Sequence, residues 1–344
     1  MNRWLFLLSS LLLLGSCRSK QAVPEIHISG SAAFHDVSVS WPVSCRKDTI
    51  TVLNGHDSVY FNQYDDTIRH FLRKGRGPLE AMNIASASSI GDYLAVIDHS
   101  GYDTPKSLFF IDLRDPSNQG KWQVISLEWL NNFYVIPEFV MLDKGHMVAL
   151  TWEKGEDAIM TWIDLENQTT HRLDFDIQDS YTGNPNRRNL LYTLNSRVSY
   201  NREKSKLVYT CGEGCYMEIM TLHDGIISDR QTILGTVPDF REDGDKLRMN
   251  DRKNRGIRMW STDNHIFITY NNPFENRSYK GYPGYFTDYI DVFDWDGRKV
   301  CRLLPDQPFS TFCVSEDDAI LYTVTMDRHS SEEEIWKYPL VLPE

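Results

Sequence analysis

The sequence predicts an all-β fold, a six-bladed β-propeller of four-stranded antiparallel blades, and three observations carry that expectation. Short runs rich in Val, Ile, Tyr, Phe and Thr recur along the chain with Gly, Asn and Asp punctuation between them, and no segment of clear helical period interrupts them. The strongest single unit is Tyr289 to Leu304. Ile290, Val292 and Phe293 load one strand, Asp296-Gly297 supplies the left-handed backbone of a tight turn, and Val300 to Leu304 returns as the partner. Four strands per unit over the mature chain gives roughly 50 residues per repeat, within the range of propeller blades. Both faces of a blade pack against neighbours, which accounts for runs apolar on both sides such as Tyr93-Leu-Ala-Val-Ile97.

Taken in order, Val37 to Ser40, Thr49 to Leu53 and Ser58 to Phe61 read as the first strands, with Asn54-Gly55-His56 as a turn, and Thr67 to Leu72 follows. The segment from Val37 to Phe61 is expected to pair near the C-terminal repeat, closing the ring. Strand signals then recur at Tyr93–Asp98, Ser107–Asp112, Val124–Leu127, Phe139–Leu142, His146–Thr151, Ala158–Asp164 and Thr170–Phe175. They continue at Arg197–Tyr200, Lys206–Thr210, Tyr216–Leu222, Ile226–Leu234, Ile257–Trp260 and His265–Tyr270. After the central hairpin come Thr311–Val314, Ala319–Thr325 and Glu334–Tyr338.

The N-terminus carries an address. Arg3 makes a short positive start, and Trp4 to Leu14 is an apolar run too short to span a bilayer. Leu14-Gly15-Ser16-Cys17 resembles a bacterial lipobox, so residues 1–16 are expected to be a signal peptide, with Cys17 the lipidated residue. Residues 17–31 then form a tether, and 32–344 a single propeller domain. Arg18-Ser-Lys20 lacks an acidic export cluster. This favours an outer-membrane lipoprotein facing the periplasm. Removing residues 1–16 takes away one positive charge, Arg3, and moves the net charge from -12 to -13. Such a chain has no basic surface for phosphate, so nucleic acid is not an expected partner. With 41% hydrophobic and 24% charged residues it has ample material for a core, and global disorder is excluded.

Five cysteines follow Cys17 (Cys45, Cys211, Cys215, Cys301 and Cys313), and an odd number leaves at least one free thiol or an intermolecular bond. Cys211-Gly-Glu-Gly-Cys215 lies between two strands joined by a glycine-rich loop, so a disulfide between Cys211 and Cys215 is expected. A structural zinc is not, because no second Cys/His pair sits nearby at ligand spacing.

Other motifs carry little chemistry. Gly75-Arg-Gly-Pro-Leu-Glu80 lacks the Gly-Lys-Ser/Thr ending of a phosphate loop and reads as an inter-blade turn. Asp288, Asp291, Asp294 and Asp296 straddle a hairpin rather than one calcium loop, and Glu242-Asp-Gly-Asp245 reads as a solvated turn. No serine sits on a Gly-x-Ser-x-Gly nucleophile elbow, and the ten histidines form no His-Glu-x-x-His pair. The chemistry-bearing stretch is Tyr270 to Phe286, whose Tyr, Asn, Gly and Arg combine rigid aromatic area with adaptable hydrogen bonding. Arg277, Tyr279, Tyr282 and Tyr285 are its candidate binding residues. Ser180 to Asn189 is a second such loop, with Tyr181 and Arg187 as candidates. The alternative is that these loops cover a blade edge with their tyrosines packed inward.

Gly75-Arg-Gly-Pro-Leu-Glu80, with Ile290-Asp-Val-Phe-Asp-Trp-Asp-Gly297 and the closing Ile335-Trp-Lys-Tyr338, resembles the TolB-like six-bladed β-propeller lipoproteins of diderm bacteria. The resemblance implies a fold and a compartment but no chemistry. The expected function is therefore a non-catalytic, envelope-anchored binding or scaffolding module for a protein or small ligand, without cofactor or metal. The alternative is a propeller enzyme, a metal-dependent hydrolase or lyase acting on carbohydrates or lactones.

Overall fold

The central hairpin is present in a computed structural model of the chain as Ile290–Asp294 paired antiparallel with Lys299–Pro305. Gly297 takes φ +78° at its turn, and the Asp294 carboxylate accepts the backbone N–H groups of Asp296 and Arg298 at 3.0 and 2.8 Å. Trp295 is buried beside it and donates its indole N–H to the Thr262 carbonyl at 3.0 Å. The structure describes residues 23–343 apart from 35–40, 47–48, 55–57, 64–66, 78, 101–103, 154–157, 180, 182, 245, 250–254, 272–285 and 327–331.

The described strands form six blades. Blade 1 is Trp41–Arg46, Thr49–Asn54, Ser58–Gln63 and Thr67–Lys74. Blade 2 is Ile84–Ile90, Tyr93–Ser100, Thr104–Asp112 and Gln123–Ser126. Blade 3 is Phe133–Met141, His146–Glu153, Met160–Asp164 and Thr169–Arg172. Blade 4 is Arg197–Asn201, Lys206–Cys211, Cys215–His223 and Ile226–Thr236. Blade 5 adds Arg255–Ser261 and His265–Asn271 to the central hairpin. Blade 6 is Thr311–Val314, Ile320–Met326 and Glu333–Pro339. The first strand of each blade touches the first strand of the next, and that of blade 6 touches that of blade 1, so the ring closes. The core is spread over apolar clusters that fill the spaces between blades.

Closure differs from expectation. The strand that completes blade 6 is β2 (Ser31–Phe34), antiparallel to Glu333–Pro339, whereas Trp41 to Gln63 builds blade 1. Val37 lies outside the described residues. A further strand, β1 (Glu25–Ile28), runs parallel to Lys299–Pro305 on the outer edge of blade 5. The stretch expected to be tether up to Ser31 thus joins the fold by Glu25. There it satisfies an edge that would otherwise present unpaired backbone groups.

Two innermost strands escape sequence patterning, those of blades 1 and 2. Trp41–Arg46 contains Pro42, and Ile84–Ile90 reads Ile-Ala-Ser-Ala-Ser-Ser-Ile. Small residues suit the crowded axis: the Ser86 hydroxyl donates to the Ile136 carbonyl at 3.2 Å, and the Ser88 hydroxyl accepts the Met141 N–H at 3.2 Å, joining blade 2 to blade 3. A helix is also present, α1 (Pro185–Thr193), overlapping the Ser180 to Asn189 segment expected to be a loop and running past it. Asn184-Pro185 is its start signal. Proline is preorganised at the first helical position, and the Asn184 carbonyl accepts Arg187 and Arg188 N–H at 3.0 and 3.1 Å.

Candidate binding face at the long-loop end

Antiparallel order within a blade puts the connections between strands one and two, and between three and four, at one end of the ring. Those between strands two and three, and from blade to blade, lie at the other. The first end is made largely of tight turns. Asp143 accepts the N–H groups of Gly145 and His146 at 2.7 and 2.9 Å, Asp164 accepts those of Glu166 and Asn167 at 3.0 and 2.9 Å, and Gly91 and Gly225 take φ +50° and +76°. These turns also tie each blade to the next. Arg46 pairs with Glu316 at 3.2 Å and with Asp92 at 2.7 Å, linking blade 6 to 1 and 1 to 2. Lys144 lies 3.8 Å over the Tyr93 ring, Arg202 donates to the Leu142 carbonyl, and Asn201 donates to the Asp263 carbonyl at 2.6 Å. His265 Nδ1 meets Asp318 at 2.8 Å and completes the circuit from blade 5 to blade 6.

The opposite end carries the long connections, concentrated around blades 4 and 5. Between blades 3 and 4 the chain runs through α1, which is fixed from below. The Asn189 amide donates to the Ala158 carbonyl, the Tyr192 hydroxyl donates to Asp179 at 2.6 Å, and the Tyr209 hydroxyl donates to the Tyr192 carbonyl at 2.6 Å. Arg188 donates to Asp176 and Asp179 at 2.9 and 3.0 Å. Between blades 4 and 5 stands a two-stranded ribbon, Phe240–Asp243 with Lys246–Met249, turned by Gly244 at φ +61°. The Glu242-Asp-Gly motif is thus the tip of a ribbon as well as a turn.

These two insertions meet. The Tyr181 hydroxyl donates to the Glu242 carboxylate, the Tyr181 and Phe240 rings lie 4.8 Å apart, and Arg187 pairs with Glu242 at 3.5 Å while donating to the Gly244 carbonyl at 3.0 Å. A Cβ at Gly183 would meet the ends of the Tyr181 and Glu242 side chains, which would have to shift to make room for it. Burial, then the neighbouring carboxylate, pushes the Tyr181 hydroxyl up to about 12, and the Tyr181 hydrogen bond holds Glu242 below the usual carboxylate range. Between the insertions lies a cleft of about 260 Å³ lined by Asp179, Tyr181, Pro238, Asp239, Phe240 and Glu242. An aromatic pair beside carboxylates can stack an apolar or sugar-like face while accepting hydrogen bonds from its hydroxyl or amino groups.

The Tyr-rich loop leaves from this same end. Arg277, Tyr279, Tyr282 and Tyr285 lie outside the described residues, as does Cys17. The loop's flanks are described and held by a charged cluster. The Tyr270 hydroxyl donates to Asp291 at 3.1 Å, the Tyr289 hydroxyl donates to the Tyr270 carbonyl at 3.3 Å, and Arg302 lies 4.3 Å over the Tyr289 ring. Asp291 also pairs with Arg302 at 2.6 Å and Lys299 at 2.8 Å. Burial alone would raise this carboxyl; the hydrogen bonds from Arg302 and Lys299 bring it below its ordinary value. Asp294 caps the hairpin turn and Asp296 pairs with Lys206 at 2.6 Å, so three of the four aspartates weighed as calcium ligands have protein partners.

The expected Cys211–Cys215 disulfide does not form: both thiols are free. Cys211 pairs in register with Tyr216 rather than Cys215, so Cys211 faces the space between blades 3 and 4 while Cys215 packs toward blade 5. Tyr181 and Arg187 do come together, but on Glu242, which joins the two insertions. Glu242 was missed as a site residue because its partner lies 61 positions away. Among the described residues no group of three His, Cys, Asp or Glu side chains converges as a metal site requires.

A family model described as TolB-like 6-blade propeller-like matches residues 25–317. Among curated proteins, none matches the chain by sequence. Among solved structures, a member of the duf4221 family from Bacteroides vulgatus superposes with TM-score 0.54 at 10% identity, covering 92% of this chain and 95% of its own. An auxiliary nutrient binding protein from Bacteroides thetaiotaomicron gives 0.52 at 9% identity, with 89% and 70% covered. A calcium-binding protein, regucalcin, from Agrobacterium tumefaciens gives 0.50 at 10% identity, with 93% and 96% covered. At these identities the likeness is one of fold.

Proposed function

Since the chain belongs to the TolB-like 6-blade propeller-like family, we propose that it is a non-catalytic binding or scaffolding propeller, anchored to the bacterial envelope through Cys17, that engages a protein or small ligand with its long-loop end. One observation carries this reading. The two loops with recognition-type composition, far apart in sequence, leave the ring at the same end, and the first of them forms a cleft with the ribbon. The lipobox-like Leu14-Gly-Ser-Cys17 and the net negative charge support an envelope position and argue against nucleic acid.

The test is a crosslinked pull-down from native envelopes with the lipidated protein, run beside the Tyr279→Ala, Tyr282→Ala, Tyr285→Ala variant and a tight-turn control, Glu203→Ala, at an exposed position in the turn between Arg197–Asn201 and Lys206–Cys211. The expected result is a small set of proteins captured by the wild type and the control and lost from the triple variant. Equal capture by all three would refute the assignment of the face. A mass spectrum showing an acylated Cys17 peptide is the matching check on the anchor.

A further inference from the structure

The cysteines that the fold brings together are Cys45 and Cys313. Cys45 is the penultimate residue of Trp41–Arg46 and Cys313 the penultimate residue of Thr311–Val314. These are the innermost strands of blades 1 and 6. They run in the same direction beside one another, so the two residues stand at matching height on either side of the seam where the ring closes. One residue toward the tight-turn end, Arg46 reaches across that seam to Glu316 at 3.2 Å. Both cysteines are buried, at 2% exposure each, in one apolar cluster with Phe34, Val52, Tyr322 and Ile335. Burial, then the neighbouring Cys313 thiol, raises the Cys45 thiol well above its ordinary value.

The seam is also a weak point. On the blade 6 side the ring depends on β2, a strand of four residues paired at three positions with a register irregularity between Ala32 and Phe34. Beside Cys313 the core leaves an apolar gap of about 10 Å³, bordered by Pro42, Ile50, Val52, Phe312 and Tyr322. This is at the lower limit of the room one water needs.

We infer that Cys45 and Cys313 form a disulfide that locks blade 1 to blade 6 and keeps the ring closed even when β2 peels away. The step needs a disulfide donor such as oxidised glutathione. One protein thiolate attacks the donor's S–S bond and releases one donor thiol. The second protein thiolate then displaces the other, leaving the Cys45–Cys313 bond and two reduced donor thiols, with the two protein protons carried by them or by solvent. Only the thiolate attacks, and a buried thiol that resists ionisation reacts slowly. Bond formation thus belongs to folding, before the seam is covered.

All five described cysteines, Cys45 and Cys313 included, are thiols in the structure, and the inferred bond would join two of them and leave Cys211, Cys215 and Cys301 reduced. In a living cell it rests on the proposed export to an oxidising compartment, but its chemistry can be tested without that. The full chain is unfolded, refolded with reduced and oxidised glutathione, quenched by alkylation under denaturing conditions and digested without reductant. A linked peptide pair containing Cys45 and Cys313 is expected, with alkylation at Cys211, Cys215 and Cys301. On a non-reducing gel the refolded protein should migrate faster than the reduced one, and Cys301→Ala should keep that difference whereas Cys45→Ala abolishes it. Refolded protein with Cys45 and Cys313 both alkylated would overturn the proposal. The same mapping on protein taken from envelopes tests export separately: a bond that forms in vitro but is reduced in the cell would count against the compartment, not against the pairing.

Discussion

The two ends of the ring are built from the same strands and differ in almost everything else. At the tight-turn end, residues beside the axis from every blade reach a neighbour, from Arg46 with Asp92 and Glu316 around to His265 with Asp318. Polar side chains there are spent on geometry, and turn aspartates answer to backbone N–H groups. At the long-loop end the chain departs from the propeller repeat, adding a helix, a ribbon and the Tyr-rich segment around blades 4 and 5. Rigidity at one end lets the other carry insertions without losing the ring, a division in which a scaffold positions loops that can vary.

The largest test of this contrast is at Asp291, under the Tyr-rich loop. Asp291→Ala leaves Arg302 and Lys299 without their buried carboxylate and should cost about 3–5 kcal/mol in urea unfolding. If the cluster serves the loop, capture should be impaired even where the variant folds. Acid should act the same way. Asp291 has a folded pKa below its unfolded value, so its contribution is complete above the unfolded pKa of about 4 and is lost as pH falls further.

His99 in blade 2 gives a pH effect in a different window. It is buried with neither ring nitrogen partnered, and burial lowers it to about 4. Unfolding lets it take up a proton near its ordinary value of 6.5, so stability should fall by up to about 3 kcal/mol as pH drops from about 6.5 to about 4, and no further from this group. A pH series on wild type and His99→Gln checks it, since the variant should lack that slope.

At the tight-turn end, Arg46→Ala removes ties to both neighbouring blades and should cost about 1–2 kcal/mol with capture unchanged. Asp296→Ala breaks an exposed pair with Lys206 and should shift stability by less than about 1 kcal/mol, again with capture unchanged. Loss of capture from either would erase the distinction between the ends.

What the sequence revealed followed from local pattern. Ile290-Asp-Val-Phe-Asp with Asp296-Gly297 specifies its own hairpin, and outer and middle strands carry enough Val, Ile and aromatic residues to stand out. The inner strands of blades 1 and 2 escaped notice because one is mostly serine and alanine, in Ile84–Ile90, and the other carries Pro42, whereas those of blades 4, 5 and 6 stood out. The α1 start at Asn184-Pro185 was readable and outweighed by the all-β pattern around it. The candidate residues Tyr181 and Arg187 were picked for their type, and their partner Glu242 lies in another inter-blade connection, which no spacing rule reaches. Cysteine pairing failed for a related reason: the short Cys211-Gly-Glu-Gly-Cys215 interval suggests a bridge, whereas one residue of register turns the two side chains to opposite faces.

The central claim, that one end of the ring builds and the other end binds, is tested most directly by hydroxyl-radical footprinting of the protein in intact envelopes against the purified protein. Protection in the envelope confined to residues 173–196, 237–254 and 271–289, with the turns at 142–145, 202–205 and 262–264 equally labelled in both samples, is the expected result. Protection of those turns, with the long connections labelled alike in both, would contradict it.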